Sequence, residues 1–415
     1  MTYDAIIIGG GIGGLYLNYL LLKYKKAKNT ILIEKSDYFG GRLFAYKTTV
    51  NRKKYIMEAG GGRFNDNHKR YIALIKKFNL TDKIIKLPKK VSLYTKKQKW
   101  KKSDLSRYLP YHYMDHLFKG VTLSQNMKKL SFNEWLKKKV EPELFNFILD
   151  TYPYTDIFKI NAFDAIALYK KDMNITNNFY ILYGGMDQVV HALVREIKKM
   201  GGALLLNTEC LNFTEQNNIF TVTTSHHRKK TIYSNNLCLA IQKPHLLKFP
   251  YLKPLFPLIK SVSNARLLRV YAIFDPKCVW FKNISKSISD SKINYIIPIN
   301  SKKGLIMISY SDESNAIYLN NLYRKSPKIM MDYILKECEK LFNQKIPKPL
   351  WFKSFFWQHG VGNWLPGYDS KKMSQKMIKP IKYKKLFICG ENYSKIYQGW
   401  AEGALETAEN VFKKM

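Results

Sequence analysis

Six residues near the N-terminus, Gly9-Gly10-Gly11-Ile12-Gly13-Gly14, follow the spacing G-x-G-x-x-G, and an acid, Glu34, comes twenty residues after the last of them. That arrangement can hold a diphosphate. Gly9 allows a tight turn out of a strand, Gly11 lets a pyrophosphate approach the backbone, and Gly14 lets a helix pack closely on the strand. A helix beginning at this turn offers free N–H groups and the positive end of its dipole to the phosphates. The Glu34 carboxylate can accept hydrogen bonds from both hydroxyls of an adenosine ribose. The implied chemistry is dinucleotide binding. The competing reading is a glycine-rich turn of purely structural use.

The flanking elements favour the binding reading. Residues 3–8 (YDAIII) form a short apolar run, as a buried parallel strand would. Residues 12–26 carry apolar positions at helical spacing and end in lysines, and residues 30–34 (TILIE) read as the next buried strand. Strand, turn, helix and strand within about 35 residues make a right-handed βαβ unit. Further along, amphipathic helices are expected over 67–80 and 186–200, the latter stopped by Gly201-Gly202 before a strand ALLLN. Residues 219–223 and 230–233 fit a hairpin around the basic turn SHHRKK, and 237–241 (LCLAI) another buried strand. The stretch 85–135 reads as helices and loops over a core, and 265–310 as short strands alternating with turns. A helix over 327–343, a strand at 386–389 and a closing helix over 399–413 complete the chain.

Bulk composition sets the outer limits. With 415 residues and 46% hydrophobic content, the chain can bury the cores of two globular domains. Cys210, Cys238, Cys278, Cys338 and Cys389 are scattered with no CxxC pair, which argues against a zinc site or a disulfide framework and points to a reducing compartment. No metal site, leader peptide or membrane-spanning run is expected. The formal charge of +39 comes from sixty Lys and ten Arg against 31 acids. One reading is a footprint for nucleic acid or another polyanion. The favoured one is A+T-rich codon usage, because lysines are spread along the chain and arginine forks are scarce. Either way, nonspecific, salt-sensitive binding to polyanions is expected. The oligomeric state is left open.

The segments after Glu34 narrow the cofactor. Gly40-Gly41-Arg42, then Glu58-Ala59-Gly60-Gly61-Gly62-Arg63-Phe64, then Tyr183-Gly184-Gly185-Met186, and finally Cys389-Gly390-Glu391-Asn392 with Gln398-Gly399-Trp400-Ala401-Glu402-Gly403-Ala404-Leu405 occur in that order. Here the chain resembles the flavin-containing amine oxidase superfamily from first strand to last helix. The resemblance implies FAD as cofactor. It makes Gly41 and Arg42 phosphate partners and Gly61, Gly62, Arg63 and Phe64 flavin-side contacts. Gly390 and Glu391 would meet the pyrophosphate and ribitol, and Gly399, Trp400 and Ala401 would bring a helix N-terminus to the flavin. No cysteine falls within 356–367, where covalent members carry one, so noncovalent FAD is expected.

The same resemblance implies hydride transfer from a C–N bond to the flavin, with O2 as acceptor. Many family oxidases hold a water with a lysine in a strand of pattern K-V-x-L-x-F. Here that strand reads Leu268 to Phe274, with Arg269 in the lysine's place. The two side chains differ in shape and titration. An ordinary strand role with a salt-bridge partner is the alternative for Arg269. Two aromatic rings frame the substrate in amine-oxidising members. Trp400 is expected as one and Trp364 as the other, with a packed core position the alternative for Trp364. His359 is weighed as a base or a structural residue.

The expected fold is α/β: a Rossmann-like FAD-binding domain of the glutathione-reductase type, interleaved with a substrate domain of mixed sheet and helices. The boundaries expected are 1–80, 184–250 and 380–415 for the first and 81–183 and 251–379 for the second. The leading function is oxidation of a small amine-bearing substrate. The alternatives are an oxidase or desaturase of apolar C–C bonds, and a flavin-binding protein with a structural or nucleic-acid-associated role. The Lys- and Asn-rich composition resembles that of A+T-rich giant viruses, which sets host cytoplasm or virion as the expected location.

Overall fold

The computed structural model describes residues 2–174, 176–225 and 230–415. The apolar run at the N-terminus forms the strand Thr2–Ile8, which lies parallel between Thr30–Ile33 and Lys230–Leu239, with Ala5 opposite both Thr30 and Asn236. Ala203–Leu205 extends the parallel sheet beyond Thr30–Ile33, and Leu386–Ile388 extends it beyond the upper half of Lys230–Leu239. The lower half of Lys230–Leu239 instead pairs antiparallel with Ile219–Thr224, which pairs with Cys210–Gln216 at the edge. The tip of the expected basic hairpin turn, residues 226–229, lies outside the described residues.

The strands expected at 230–233 and 237–241 are one continuous strand, Lys230–Leu239. Its lower half alternates, with Ile232 and Ser234 buried and Thr231 and Tyr233 exposed; Leu237 to Leu239 are buried throughout. The lower half sits in a sheet with one wet face and the upper half in one covered on both, so a change of burial regime looks like a break in the sequence. One face is covered by the helix Ile12–Lys23, buried up to Leu22, together with the helices Gln188–Lys199 and Ala401–Lys414. The other face packs on Phe213, Phe220, Leu246, Leu252, Ile259 and Trp364.

A second sheet runs in the order Trp351–Val361, Ala265–Ile273, Leu305–Asp312, Tyr295–Asn300, Lys286–Ser289, Val91–Tyr94. Its pairs are antiparallel except the last. The strand Val91–Tyr94 lies in the stretch expected as helices and loops. Its partner is almost two hundred residues away, which no local pattern reveals. The helices Glu313–Lys325, unanticipated, and Pro327–Phe342 cover one side of this sheet around Leu319, Met330 and Ile334. A helical tier centred on Phe118, Phe132, Ile148 and Ile166 closes over Ile288 and Tyr295. The architecture is thus α/β with two main sheets, and a cavity of about 550 Å³ is lined by residues from both.

Candidate active site

The glycine turn forms one wall of the cavity. Gly9 has φ +109°, and a Cβ there would stand 2.5 Å from the Ala240 carbonyl oxygen; a Cβ on Gly14 would stand 2.1 Å from the Gly9 oxygen. Neither position accepts a side chain without moving backbone. Gly11 differs: a Cβ would meet no protein atom within 4 Å, because it would project into the cavity that Gly9, Gly11 and Gly13 line. The helix Ile12–Lys23 starts behind Gly11 with no side-chain cap and no acid in its first turn, so its amides remain for a ligand. Glu34 is fixed by the backbone: Oε2 accepts the Gly10 N–H at 2.7 Å and Oε1 the Ser36 N–H at 2.9 Å. Each oxygen keeps a lone pair for a ribose hydroxyl.

The middle of the cavity joins the two ends of the chain. The Gly40 N–H donates to the Gly10 carbonyl at 2.8 Å, which seats Gly41 and Arg42 beside the glycine turn. Arg42 Nη1 donates to the Gly360 carbonyl at 2.6 Å and pairs with the Glu391 carboxylate. The two residues expected to act separately on the cofactor therefore hold each other. Glu391 is buried, which pushes its carboxyl up against the opposing pull of Arg42 and the Gly399 N–H, and among the described residues no hydrogen bond reaches its Oε2. Like Gly11, Gly390 lines the cavity and has open space where a Cβ would project. Gly399, Trp400 and Ala401 complete this wall. The helix Ala401–Lys414 has no side-chain cap, and its first-turn acid, Glu402, is taken by Arg70 and the Tyr71 N–H. A second uncapped helix start thus faces the cavity. Uncapped amides, an orphaned carboxylate oxygen and two glycines bordering open space fit a bound dinucleotide of the FAD type.

The far end is built from side chains. Arg63 donates to the Tyr154 hydroxyl at 2.8 Å, and its guanidinium lies 4.3 Å from the Phe179 ring centroid and 5.7 Å from that of Trp400. Among the described residues no carboxylate is paired with it. Trp400 rests on His68, with ring centroids 4.6 Å apart, and stacks on Phe179. Gly61 and Gly62 lie on the same wall, and a Cβ on Gly62 would stand 3.0 Å from Arg269 Nη1. Arg269 therefore faces the flavin-side stretch as expected, but among the described residues it has no salt bridge. It donates to the Glu58 carbonyl at 2.9 Å and lies over the Tyr310 ring at 4.7 Å. Burial raises the Glu58 carboxyl to about 7, although the Met186 N–H and Arg269 both favour its charged form.

Two expected site residues are elsewhere. Phe64 is buried against Tyr71 and Tyr180 in the first core. It opens the short strand Phe64–Asn65, where successive side chains point to opposite faces, so Arg63 at the cavity places Phe64 away from it. Trp364 is fully buried in the second core: its indole N–H donates to the Ser394 carbonyl at 2.9 Å and its backbone N–H to Gln398. The cavity-lining tryptophan of that segment is Trp357, on the strand Trp351–Val361, whose indole donates to the Ala59 carbonyl at 2.6 Å. His359 is near the cavity rather than on its wall, held by Asn264 at 2.9 Å.

Tyr154, Asp156, Glu58 and Lys286 were not singled out from the sequence. Asp156 lines the cavity, and its N–H donates to Asp312 at 3.1 Å. Burial pushes both carboxyls up; for Asp156, raised to about 6, the Glu313 charge adds to burial while the hydrogen bonds with Asp312 and Asn363 oppose it, and for Asp312 the Asp156 charge adds to burial. Lys286 lies over the Tyr295 ring, and burial together with Arg63 lowers its ammonium to about 7.

Comparison with known proteins agrees with the geometry. A family model described as flavin-containing amine oxidoreductase matches residues 12–411. Achacin from Lissachatina fulica is 22% identical, aligned over all of this chain and 93% of that protein. The solved structure of wild-type putrescine oxidase bound to putrescine superposes with a TM-score of 0.76 at 14% identity, covering 100% of this chain and 99% of that one. A putative protoporphyrinogen oxidase from Exiguobacterium sp. 255-15 gives 0.75 at 14% identity, with 100% and 98% coverage. The chain belongs to the flavin-containing amine oxidoreductase family and is an oxidoreductase that uses FAD.

Proposed function

We propose that the enzyme oxidises the C–N bond of a small amine that also carries a carboxylate, an amino-acid-type substrate, with O2 as the electron acceptor. FAD supplies the hydride acceptor. In this reading the first sheet with its glycine turn holds the cofactor, while the second sheet and the helical tier enclose the substrate. The observation that carries the reading is Arg63, a cavity-lining guanidinium surrounded by Tyr154, Phe179 and Trp400 with no carboxylate paired to it among the described residues. A guanidinium withdrawn from bulk water gains most from a carboxylate that meets it bidentately. The rings beside it exclude water and strengthen that contact. A dicationic diamine, such as the ligand of the putrescine-bound neighbour, would instead meet repulsion there.

Arg63 would bind and orient the substrate, Trp400 would present an aromatic face to the carbon that loses hydride, and Arg269 would keep a fixed positive charge beneath the flavin-side glycines. The test is anaerobic bleaching of the enzyme flavin by amino acids and by the matching amines that lack the carboxylate. The acids should bleach about a hundredfold faster at equal concentration, and Arg63→Met should abolish that preference while retaining flavin. Equal or faster bleaching by the matching amines would overturn the assignment.

A further inference from the structure

Seven lysines and no acidic residue fall between positions 371 and 385. They lie on the helix Ser370–Ile378 and on the turn leading to the strand Leu386–Ile388. Lys371, Lys372 and Lys376 are exposed on the helix, and Lys382 and Lys384 on the turn. The acid before the run, Asp369, is committed to Lys128 at 2.6 Å and to the Lys372 N–H at 2.8 Å. Among the described residues no salt bridge neutralises any of the seven lysines.

At the tip of the turn stands Ile381, which is 91% exposed; the next most exposed large hydrophobic side chain, Tyr183, is 71% exposed. This exposure is imposed by the fold. Pro380 and Tyr383 on either side are buried. The Tyr383 N–H donates to the Pro380 carbonyl at 2.9 Å, its hydroxyl donates to the Tyr251 carbonyl at 2.9 Å, and the two tyrosine rings are 5.2 Å apart. Two anchors hold the turn down and leave Ile381 and Lys382 standing out.

Charge alone would suit any polyanion. The aliphatic tip discriminates among them. Isoleucine has no donor for a phosphate and no π-face for a base, so a single-stranded or backbone-tracking nucleic-acid surface would favour other residues there. An anionic bilayer rewards both features, with lysines among the headgroups and the apolar side chain at the acyl boundary. We infer that the helix Ser370–Ile378 and the turn at 379–385 form a docking surface for an anionic lipid bilayer, with Ile381 inserting. No described helix is long and apolar enough to cross a membrane, so the contact is peripheral and reversible.

The test uses the flavin-loaded full chain and sedimentation with phosphatidylcholine vesicles, with and without phosphatidylserine. The wild type should partition onto the anionic vesicles only. Ile381→Asn should lower that partition by about tenfold with no change in charge. Lys371, Lys372 and Lys376 changed together to Glu should lower it by about a hundredfold or more, against about threefold or less for the same reversal at the exposed Lys137, Lys138 and Lys139. Ile381→Trp should be quenched by brominated lipid. A flavin spectrum equal to the wild type's confirms that each variant is folded. Unchanged binding by Ile381→Asn, equal loss from the two reversals, or no quenching would overturn the proposal and leave diffuse charge. A loss of DNA retention on Ile381→Asn that matches the loss on vesicles would make nucleic acid the occupant and also overturn it.

Discussion

The two ends of the cavity settle their charges in opposite ways. Around the glycine turn the Glu34 carboxylate is already bonded to the Gly10 and Ser36 amides, and further along the wall Glu391 is paired with Arg42. Around Arg63 and Arg269 the contacts are side chains drawn from separate segments. Those cations meet hydroxyls, carbonyls and rings, with no paired carboxylate among the described residues. The backbone scaffold of the first end is complete before anything binds, and it leaves uncapped amides for the cofactor. The second keeps uncompensated charge in a medium of low dielectric, where an incoming anion gains most. An enzyme that retains one cofactor and turns over many substrates suits that division.

The largest effects should come from breaking the complete end. Gly14→Ala places a carbon 2.1 Å from the Gly9 oxygen and should cost the local fold together with the flavin. Gly11→Ala meets no protein atom, so it should leave the far-UV spectrum and the thermal transition intact while weakening FAD by about a hundredfold or more. Flavin retained by Gly11→Ala after gel filtration would show that the backbone there is not a close cofactor contact.

The two tryptophans expected to frame the substrate offer the next contrast. Trp364→Ala empties a fully buried site and should destabilise the protein by about 3–5 kcal/mol, with bleaching kinetics unchanged in the folded fraction. Trp400→Ala should do the reverse, with a small stability loss and about tenfold or more slower bleaching. Denaturant unfolding and single-turnover kinetics on both variants would separate the roles. If Trp364→Ala slowed bleaching as much as Trp400→Ala, the core placement of Trp364 would be wrong.

That contrast also explains what the sequence made legible. The glycine turn and Glu34 were readable because backbone chemistry over about 35 residues leaves fixed spacings. The substrate end is an assembly problem. Trp357 and Trp364 are seven residues apart in one aromatic segment, and only pairing of Trp357 with Leu267 across the sheet shows which one reaches the cavity. Phe64 adjoins Arg63 in sequence, but strand alternation separates the two in space. Asp156 and Lys286 look like surface residues in a lysine-rich chain. Their neighbours come from distant strands and give no local signal.

Arg269 sharpens the comparison within the substrate end. Its fork serves the Glu58 carbonyl while its plane covers Tyr310, and an ammonium cannot do both. Arg269→Lys supplies the residue that the resemblance leads one to expect at this position. The variant should react with O2 about tenfold faster after anaerobic reduction, at a stability cost of about 1–2 kcal/mol for the lost hydrogen bond. Stopped-flow reoxidation reads the first effect and urea unfolding the second. Unchanged reoxidation would reduce Arg269 to a scaffold residue.

The smallest effect tests whether uncompensated charge is present at all. Burial and the nearby Arg63 hold the Lys286 ammonium at about 7, against 10.5 in the open chain. Well above 10.5 both the folded and the unfolded chain carry a neutral amine there, so the group costs nothing. As pH falls from that value the unfolded chain takes up the proton first, and the penalty to the fold grows until about 7, below which it is constant. Lys286→Met removes the penalty and keeps most of the volume. The variant should therefore melt about 2–4 °C higher than the wild type near pH 6, with the gain shrinking by about pH 9. Differential scanning calorimetry at the two pH values measures it. An equal gain at both would mean that Lys286→Met gains only in packing, and that burial beside Arg63 does not penalise the Lys286 ammonium.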